Sequence, residues 1–164
     1  FIDADDIWHK NKLKLQINFM RKKKILFSHS TYEIIDKYNK VKGIRTAENY
    51  DNFLELSKSC NIGLSSVILE KRILKDKFKF PKIKTKEDFV LWLRILKDGT
   101  KIYAFKKNLV KWRKSENSLS SSSLQKIRDG YKVYNHYLGY NFIKSLYYLF
   151  VLTLNYFKKS ILNS

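Results

Sequence analysis

With 164 residues, 44% apolar and 15% aromatic, the chain is long enough for one ordinary domain with a sizeable core and too apolar for a disordered segment. Its 34 basic and 15 acidic residues give a formal charge of +19, but 28 of the basic residues are Lys and 6 are Arg. That balance argues for nonspecific attraction to anionic surfaces and against a base-reading nucleic-acid code, which favours Arg. The single Cys60 excludes an internal disulfide and a cysteine-rich zinc site, and among small and apolar neighbours it reads as a buried, inert thiol.

Phe1-Ile2 is an apolar strand end that opens into Asp3-Ala4-Asp5-Asp6-Ile7-Trp8. Asp3 and Asp5 are one residue apart, so an extended backbone turns both to one side. Two such carboxylates suit Mg²⁺ or Mn²⁺ and leave positions open for phosphate oxygens. The bland alternative is a polar turn after a strand. The chain opens on this run without an initiator Met, and we expect it to be the back half of a longer protein.

Asn11 is placed to cap a helix over about residues 12–22, with Leu13, Ile17 and Met20 at helical spacing and Arg21–Lys24 at its end. Ile25 to Ile35 predicts a strand, Asp36–Lys40 a hairpin turn toward Val41, and Asn52–Ser59 a short helix. Leu64–Leu69 predicts a second apolar strand, Lys71–Lys75 a basic helical turn, and Phe78–Lys86 a loop. Glu87–Lys97 is the clearest helix, with Phe89, Trp92, Leu93 and Leu96 on one face and Asp98-Gly99 as its stop. Lys101–Phe105 and Asn108–Arg113 read as two short strands, Ser115–Ser123 as a loop, and the chain from about Leu124 as helical.

Thr85-Lys86-Glu87-Asp88 admits two readings. Thr85 and Asp88 have the spacing of a capping box. A carboxylate in a first helical turn is also a candidate general base, provided its surroundings desolvate it.

Four segments now stand in order: Phe1 to Trp8, Ser65-Ser66-Val67-Ile68, Glu87-Asp88 through Trp92 to Arg94, and Trp112-Arg113-Lys114-Ser115. In that order and rough spacing, from Phe1 to about Ser123, the chain resembles the family 2 glycosyltransferases. These are inverting, metal-dependent enzymes of the GT-A fold that use nucleotide-sugar donors. The resemblance implies an α/β chain, the C-terminal portion of a GT-A mixed-sheet fold, followed by a helical tail. It implies residues 1–123 as the metal and acceptor part of the catalytic domain and residues 124–164 as that tail, with the nucleotide-binding strands upstream of Phe1.

The same resemblance makes Asp3 and Asp5 the metal-side Asp-x-Asp, with Asp5 the direct contact to Mg²⁺ or Mn²⁺ and Asp6 an auxiliary carboxylate. Asp88 would be the base that deprotonates the acceptor hydroxyl, and Glu87 would orient it. Trp92, Arg94 and Arg113 would support the site, Trp92 more as core than as ligand. Some members place a His where this chain reads Arg113-Lys114-Ser115, so the resemblance does not carry a third protein ligand over to this position. His9, His29 and His136 have no evident metal role.

The implied partners are a nucleotide-sugar donor, a UDP-sugar by expectation, and a hydroxyl of a surface polysaccharide or lipid-linked glycan. The chain alone is expected to be inactive. Ser145 to Phe157 is an apolar, Tyr-bearing run bordered by Lys144, Lys158 and Lys159, too short to cross a bilayer. It suits either an anionic membrane surface or packing on the chain's own domain or on a partner subunit. A cytoplasmic enzyme at the inner face of the cell membrane is the expected setting. The alternatives are a basic, aromatic-rich module that binds membrane or nucleic acid without catalysis, and a metal-dependent nucleotidyl or phosphoryl transferase.

Overall fold

The structure is a computed structural model that describes residues 1–74, 79–114 and 122–162, the last three as backbone. Its centre is the strand β2 (Phe27–Ile35), whose near-continuous burial matches its apolar and small residues. β5 (Tyr103–Arg113) lies parallel to β2 along one edge, and β1 (Ile7–Trp8) pairs antiparallel with the far end of β5. On the other edge of β2, β3 (Val41–Arg45) covers the C-terminal half and β4 (Val67–Leu69) the N-terminal half, both antiparallel. The result is a mixed, open five-stranded sheet.

Two strands were expected between Lys101 and Arg113, and a single one of eleven residues forms. Its register against β2 shifts around Thr31, so the Lys106–Lys107 interruption in the apolar pattern is a bulge inside one strand.

α1 (Lys12–Lys23) follows β1 and ends at Lys24 in the left-handed conformation. Asn11 does not cap it by its side chain, and Leu13 is exposed on the rim of a shallow apolar groove. The buried face is instead Lys12, Gln16 and Met20. Gln16 is drawn inward because its amide donates to Ser28 O, Ser28 Oγ and Ser66 O, satisfying groups the sheet leaves open. Lys12 Nζ donates to Gln16 Oε1 and sits 4.4 Å from the Trp8 ring centre, and burial pulls its pKa down to about 8.

The hairpin between β2 and β3 turns as expected, with Asp36 Oδ1 accepting from the N–H groups of Tyr38 and Lys40 and Asn39 at φ +64°. α2 (Phe53–Lys58) is capped by Asn52, whose Oδ1 accepts from Glu55 N. A single 3₁₀ turn, Leu64–Ser66, precedes β4, and another spans Lys71–Ile73. The rest of the Lys71–Lys75 and Phe78–Lys86 expectations, and most of Ser115–Ser123, fall partly or wholly outside the described residues.

α3 (Glu87–Lys97) has the expected bounds but is buried almost all round, with Phe89 to Leu93, Ile95 and Leu96 inside. Gly99, at φ +91°, ends it. The core gathers Phe27, Leu56, Val67, Trp92, Leu93 and Ile95 between this helix and the sheet.

α4 (Ser123–Lys132), a wide π turn (Val133–Tyr137) and α5 (Phe142–Leu162) complete the chain. They share the core: Val133, Tyr134 and Tyr148 are buried in it, Tyr134 Oη donates to Ser57 O, and Asn155 Nδ2 donates to Lys58 O. Gly130 lets α4 approach α5, because a Cβ there would stand 2.7 Å from Leu149 Cδ1. The mixed α/β sheet with helices gathered at the C-terminus is consistent with the C-terminal portion of a GT-A fold.

Candidate active site

The acidic turn is held from two sides. Asp6 N donates to Asp3 O at 3.2 Å and closes it. Asp3 N donates to Ser65 Oγ at 2.9 Å, and Trp8 Nε1 donates to Ser65 O at 2.8 Å, so the 3₁₀ turn before β4 fixes one side. Arg113 fixes the other. Its N–H donates to Asp6 Oδ1 at 2.9 Å, its Nε to Asp5 O at 3.0 Å, its Nη1 to Asp36 O and its Nη2 to Asn39 Oδ1, both at 2.9 Å. A planar fork with rigid donors is what spans a turn and a hairpin at once.

Among the described residues no Lys or Arg nitrogen lies within ion-pair distance of the Asp3, Asp5 or Asp6 side chains. Among the described residues the buried Asp6 Oδ2 has no hydrogen-bond partner. Burial, followed by the charge of Asp5, raises the pKa of Asp3. Burial also raises that of Asp6, against the Ser65 hydroxyl and the Arg113 N–H.

Asp88 lies in the first turn of α3. The capping box does not form: Thr85 N and Thr85 Oγ1 both donate to Asp129 Oδ2, at 3.1 and 3.0 Å. The capping position falls to Lys86, in the left-handed conformation at φ +68° and with no side-chain cap. Among the described residues Asp88 Oδ1 accepts only from its neighbour Phe89 N, at 2.7 Å. Burial first, then the adjacent Glu87 carboxylate, pushes the Asp88 pKa up to about 6, and the charge of Asp3 adds to the rise. Asp88 in turn lifts Cys60, whose thiol is pushed up to about 12 chiefly by burial. A thiolate nucleophile is thereby excluded. Tyr32 on β2 also feels Asp88, beyond its own burial. Asp88 thus feels the charge of Asp3 and is itself felt by Tyr32 and Cys60, from separate parts of the chain.

Other expected residues take different places. Trp92 is fully buried, edge-on to Phe27 and Phe1, with no partner for Nε1 among the described residues. Arg94 lies over the Tyr137 ring at 5.5 Å, toward the C-terminal helices. Glu87 is half-buried beside Asp88. His9 is exposed, its Nδ1 accepting from Asn11 N, and His136 is exposed beside Tyr137. His29 is fully buried on β2, where its Nε2 donates to Glu48 O at 2.8 Å.

Three contributors were not singled out from the sequence as site residues. Ser65 pins the acidic turn, Asp129 frees Asp88 from capping, and Lys86 brings a buried amine to its side, its pKa lowered by burial. Only Ser65 lay in a segment that carried the resemblance; Asp129 is a lone acid on a basic helix, and only the fold reveals its partner.

Among the described residues no three His, Cys, Asp or Glu side chains are grouped to hold a metal ion by themselves. The donor set fits a hard cation held by one or two carboxylates and completed by substrate phosphates and water, a usual arrangement for Mg²⁺.

No family model matches the chain. It is 37% identical over 151 residues to an Escherichia coli protein, the UDP-Glc:alpha-D-GlcNAc-diphosphoundecaprenol beta-1,3-glucosyltransferase WfgD, covering 91% of this chain and 58% of the relative. It is 41% identical over 101 residues to WfaP of Escherichia coli, which carries the same activity name, covering 62% of this chain and 39% of the relative. It is 31% identical over 149 residues to the teichuronic acid biosynthesis glycosyltransferase TuaG of Bacillus subtilis, covering 88% and 58%. The chain therefore spans 58% of the length of WfgD and of TuaG, and over that span it belongs to the glycosyltransferase family they represent.

Proposed function

We propose that the chain forms the metal and acceptor side of an inverting, metal-dependent glycosyltransferase that moves a sugar from a nucleotide diphosphate to a glycan hydroxyl. The observation that carries this reading is the state of Asp88. It is released from helix capping by the Thr85–Asp129 bonds, half-buried, and raised to about 6. A carboxylate near that value is mostly ionised at neutral pH and basic enough to accept a proton in a transition state.

Direct displacement at an anomeric carbon needs one base on the acceptor side and charge neutralisation at the leaving group. Asp88 would take the proton of the acceptor hydroxyl as its oxygen attacks, then return it to water. Glu87 and Asp3, by repelling the Asp88 anion, keep it basic. Asp3 and Asp5, with Asp6 behind them, would hold Mg²⁺ or Mn²⁺ on the donor side. Once bound, that ion would neutralise the departing diphosphate. Arg113 and Ser65 hold the turn in place and touch no reacting atom.

The relatives' activity names support a UDP-sugar donor and a lipid-linked glycan acceptor. A setting at the cytoplasmic face of the membrane is part of the proposal. A glycosidase would instead need a protonated acid facing a second carboxylate, and it would give the acidic turn no task. The test is Asp88→Asn in the full-length enzyme. Transfer should be lost while metal-dependent donor binding, read by calorimetry, stays within about threefold; turnover at the wild-type rate would remove Asp88 as the base.

A further inference from the structure

The outward side of α5 is apolar along its length, the reverse of what a solvent-facing helix carries. Ile143, Leu146, Tyr147, Phe150, Leu154 and Phe157 recur at three- and four-residue intervals and are all exposed, Ile143 by 79% and Phe150 by 61%. Ser145 and Tyr148 face the other way and are buried, with Tyr148 against Tyr134. The helix therefore packs on its own domain with one side and leaves a second apolar side uncovered. From Ile143 to Phe157 the stripe runs about 21 Å. It continues onto α4, where Leu124 is 80% exposed, across an open groove of about 470 Å³ lined by Ile127, Tyr131, Phe142, Leu146 and Leu149.

The exposed charges carried by these two helices have one sign. Arg128 and Lys132 line the groove, Lys144 flanks the start of the stripe, and Lys158 stands at its far end. The one acid in residues 122–162 is Asp129, which is buried and occupied by Thr85 and Gln125. Every charged side chain that these two helices turn to solvent is basic.

We propose that the α4–α5 face seats on an anionic lipid bilayer. The α5 stripe would lie in the boundary between headgroups and acyl chains, with Arg128, Lys132, Lys144 and Lys158 against lipid phosphates. A bilayer of anionic lipid supplies both an apolar layer and negative charge in one plane. A second copy of this chain supplies the apolar layer but sets basic flanks against basic flanks, each on a body of charge +19. No helix among the described residues is long and apolar enough to cross a membrane, so the contact is with the surface. The proposal does not rest on the catalytic reading.

The test is cosedimentation of the full chain with sucrose-loaded vesicles of phosphatidylcholine alone or with about one-third phosphatidylglycerol. Partition into the anionic vesicles should be at least about tenfold stronger. Ile143→Glu with Phe150→Glu should reduce it by about tenfold or more with an unchanged melting temperature, because both side chains are exposed. Should that pair fail to fold, Lys144→Glu with Lys158→Glu is the second handle and should erase the preference for anionic lipid. Wild-type binding by these variants, or no binding of the wild-type chain to anionic vesicles, overturns the proposal. So does a concentration-dependent dimer that the apolar pair abolishes while vesicle binding persists.

Discussion

Thr85 gives both its backbone N–H and its hydroxyl to one oxygen of Asp129, at 3.1 and 3.0 Å, and so leaves Asp88 outside the cap that its sequence offers. The bond ties α4 to the loop that launches α3. It is a structural contact with a chemical consequence, because a Thr85 bonded to the first turn of α3 would bring that turn a cap it now lacks.

Asp129→Ala removes the acceptor of three hydrogen bonds, those from Thr85 N, Thr85 Oγ1 and Gln125 Nε2. Two of the donors are buried, so the loss should be about 2–3 kcal/mol, or roughly 5–10 °C in melting temperature. In the full-length enzyme kcat should fall as well, since the freed Thr85 can then cap α3. A thermal melt coinciding with wild type would show that the bond holds nothing in place.

Asp88→Asn separates activity from stability. The ordinary Asp value of 3.8 is raised to about 6, so ionising Asp88 at neutral pH costs the folded state. Allowing for its partial exposure, the Asn variant should be more stable than wild type by about 1–2 kcal/mol at pH 7. It should lose about 10²–10⁴ in kcat. The wild-type rate should fall on the acid side with an apparent pKa near 6. A variant that is both inactive and less stable would mark Asp88 as a structural residue.

The elements that declared themselves in the sequence are those whose signals are local. Asn52 with Glu55, Asp36 with Asn39, and Gly99 each set a boundary by bonding or bending within a few residues. The failures came where distant groups intervene. Gln16 displaces Leu13 from the buried face of α1 because Ser28 and Ser66 need its amide. The β5 bulge merges two strands because β2 pairs on both sides of it. At the site, Asp3 and Asp88 were legible as residue types in an ordered series of motifs. What frees Asp88 is Asp129, forty-one residues on, and no spacing rule reaches that far.

Arg113→Lys keeps the charge and loses the fork. One ammonium cannot reach Asp5 O, Asp36 O and Asn39 Oδ1 together, although the backbone bond from Arg113 N to Asp6 survives. The stability change should be small, about 1 kcal/mol. Metal-dependent donor affinity of the full-length enzyme should weaken by about tenfold, because the acidic turn loses one of its two anchors. Asp5→Asn should weaken donor binding and transfer together. Unchanged donor affinity in Arg113→Lys would mean that Ser65 and the Arg113 N–H hold the turn without the guanidinium.

His29 and Asp88 should pull the acid stability of the fold in opposite directions. Burial lowers His29 from 6.5 to about 4, against the pull of its bond to Glu48 O. As pH falls through 6.5 the unfolded chain takes a proton that the folded chain refuses until about 4. Stability contributed by the neutral ring is therefore complete above pH 6.5 and lost toward pH 4, by about 3 kcal/mol in all. Asp88 is raised, so its folded state takes up a proton near pH 6, before the unfolded chain does at 3.8, and stability is gained over that interval. Asp3 and Asp6, also raised by burial, act in the same sense as Asp88. Between about pH 6 and 4.5 the slopes oppose, and wild type should change little. Urea unfolding at pH 7 and pH 4.5 reads the balance. Asp88→Asn should lose about 1–2 kcal/mol more than wild type on acidification, and His29→Gln should lose less or gain. Parallel losses in all three proteins would mean that neither burial sets a proton equilibrium.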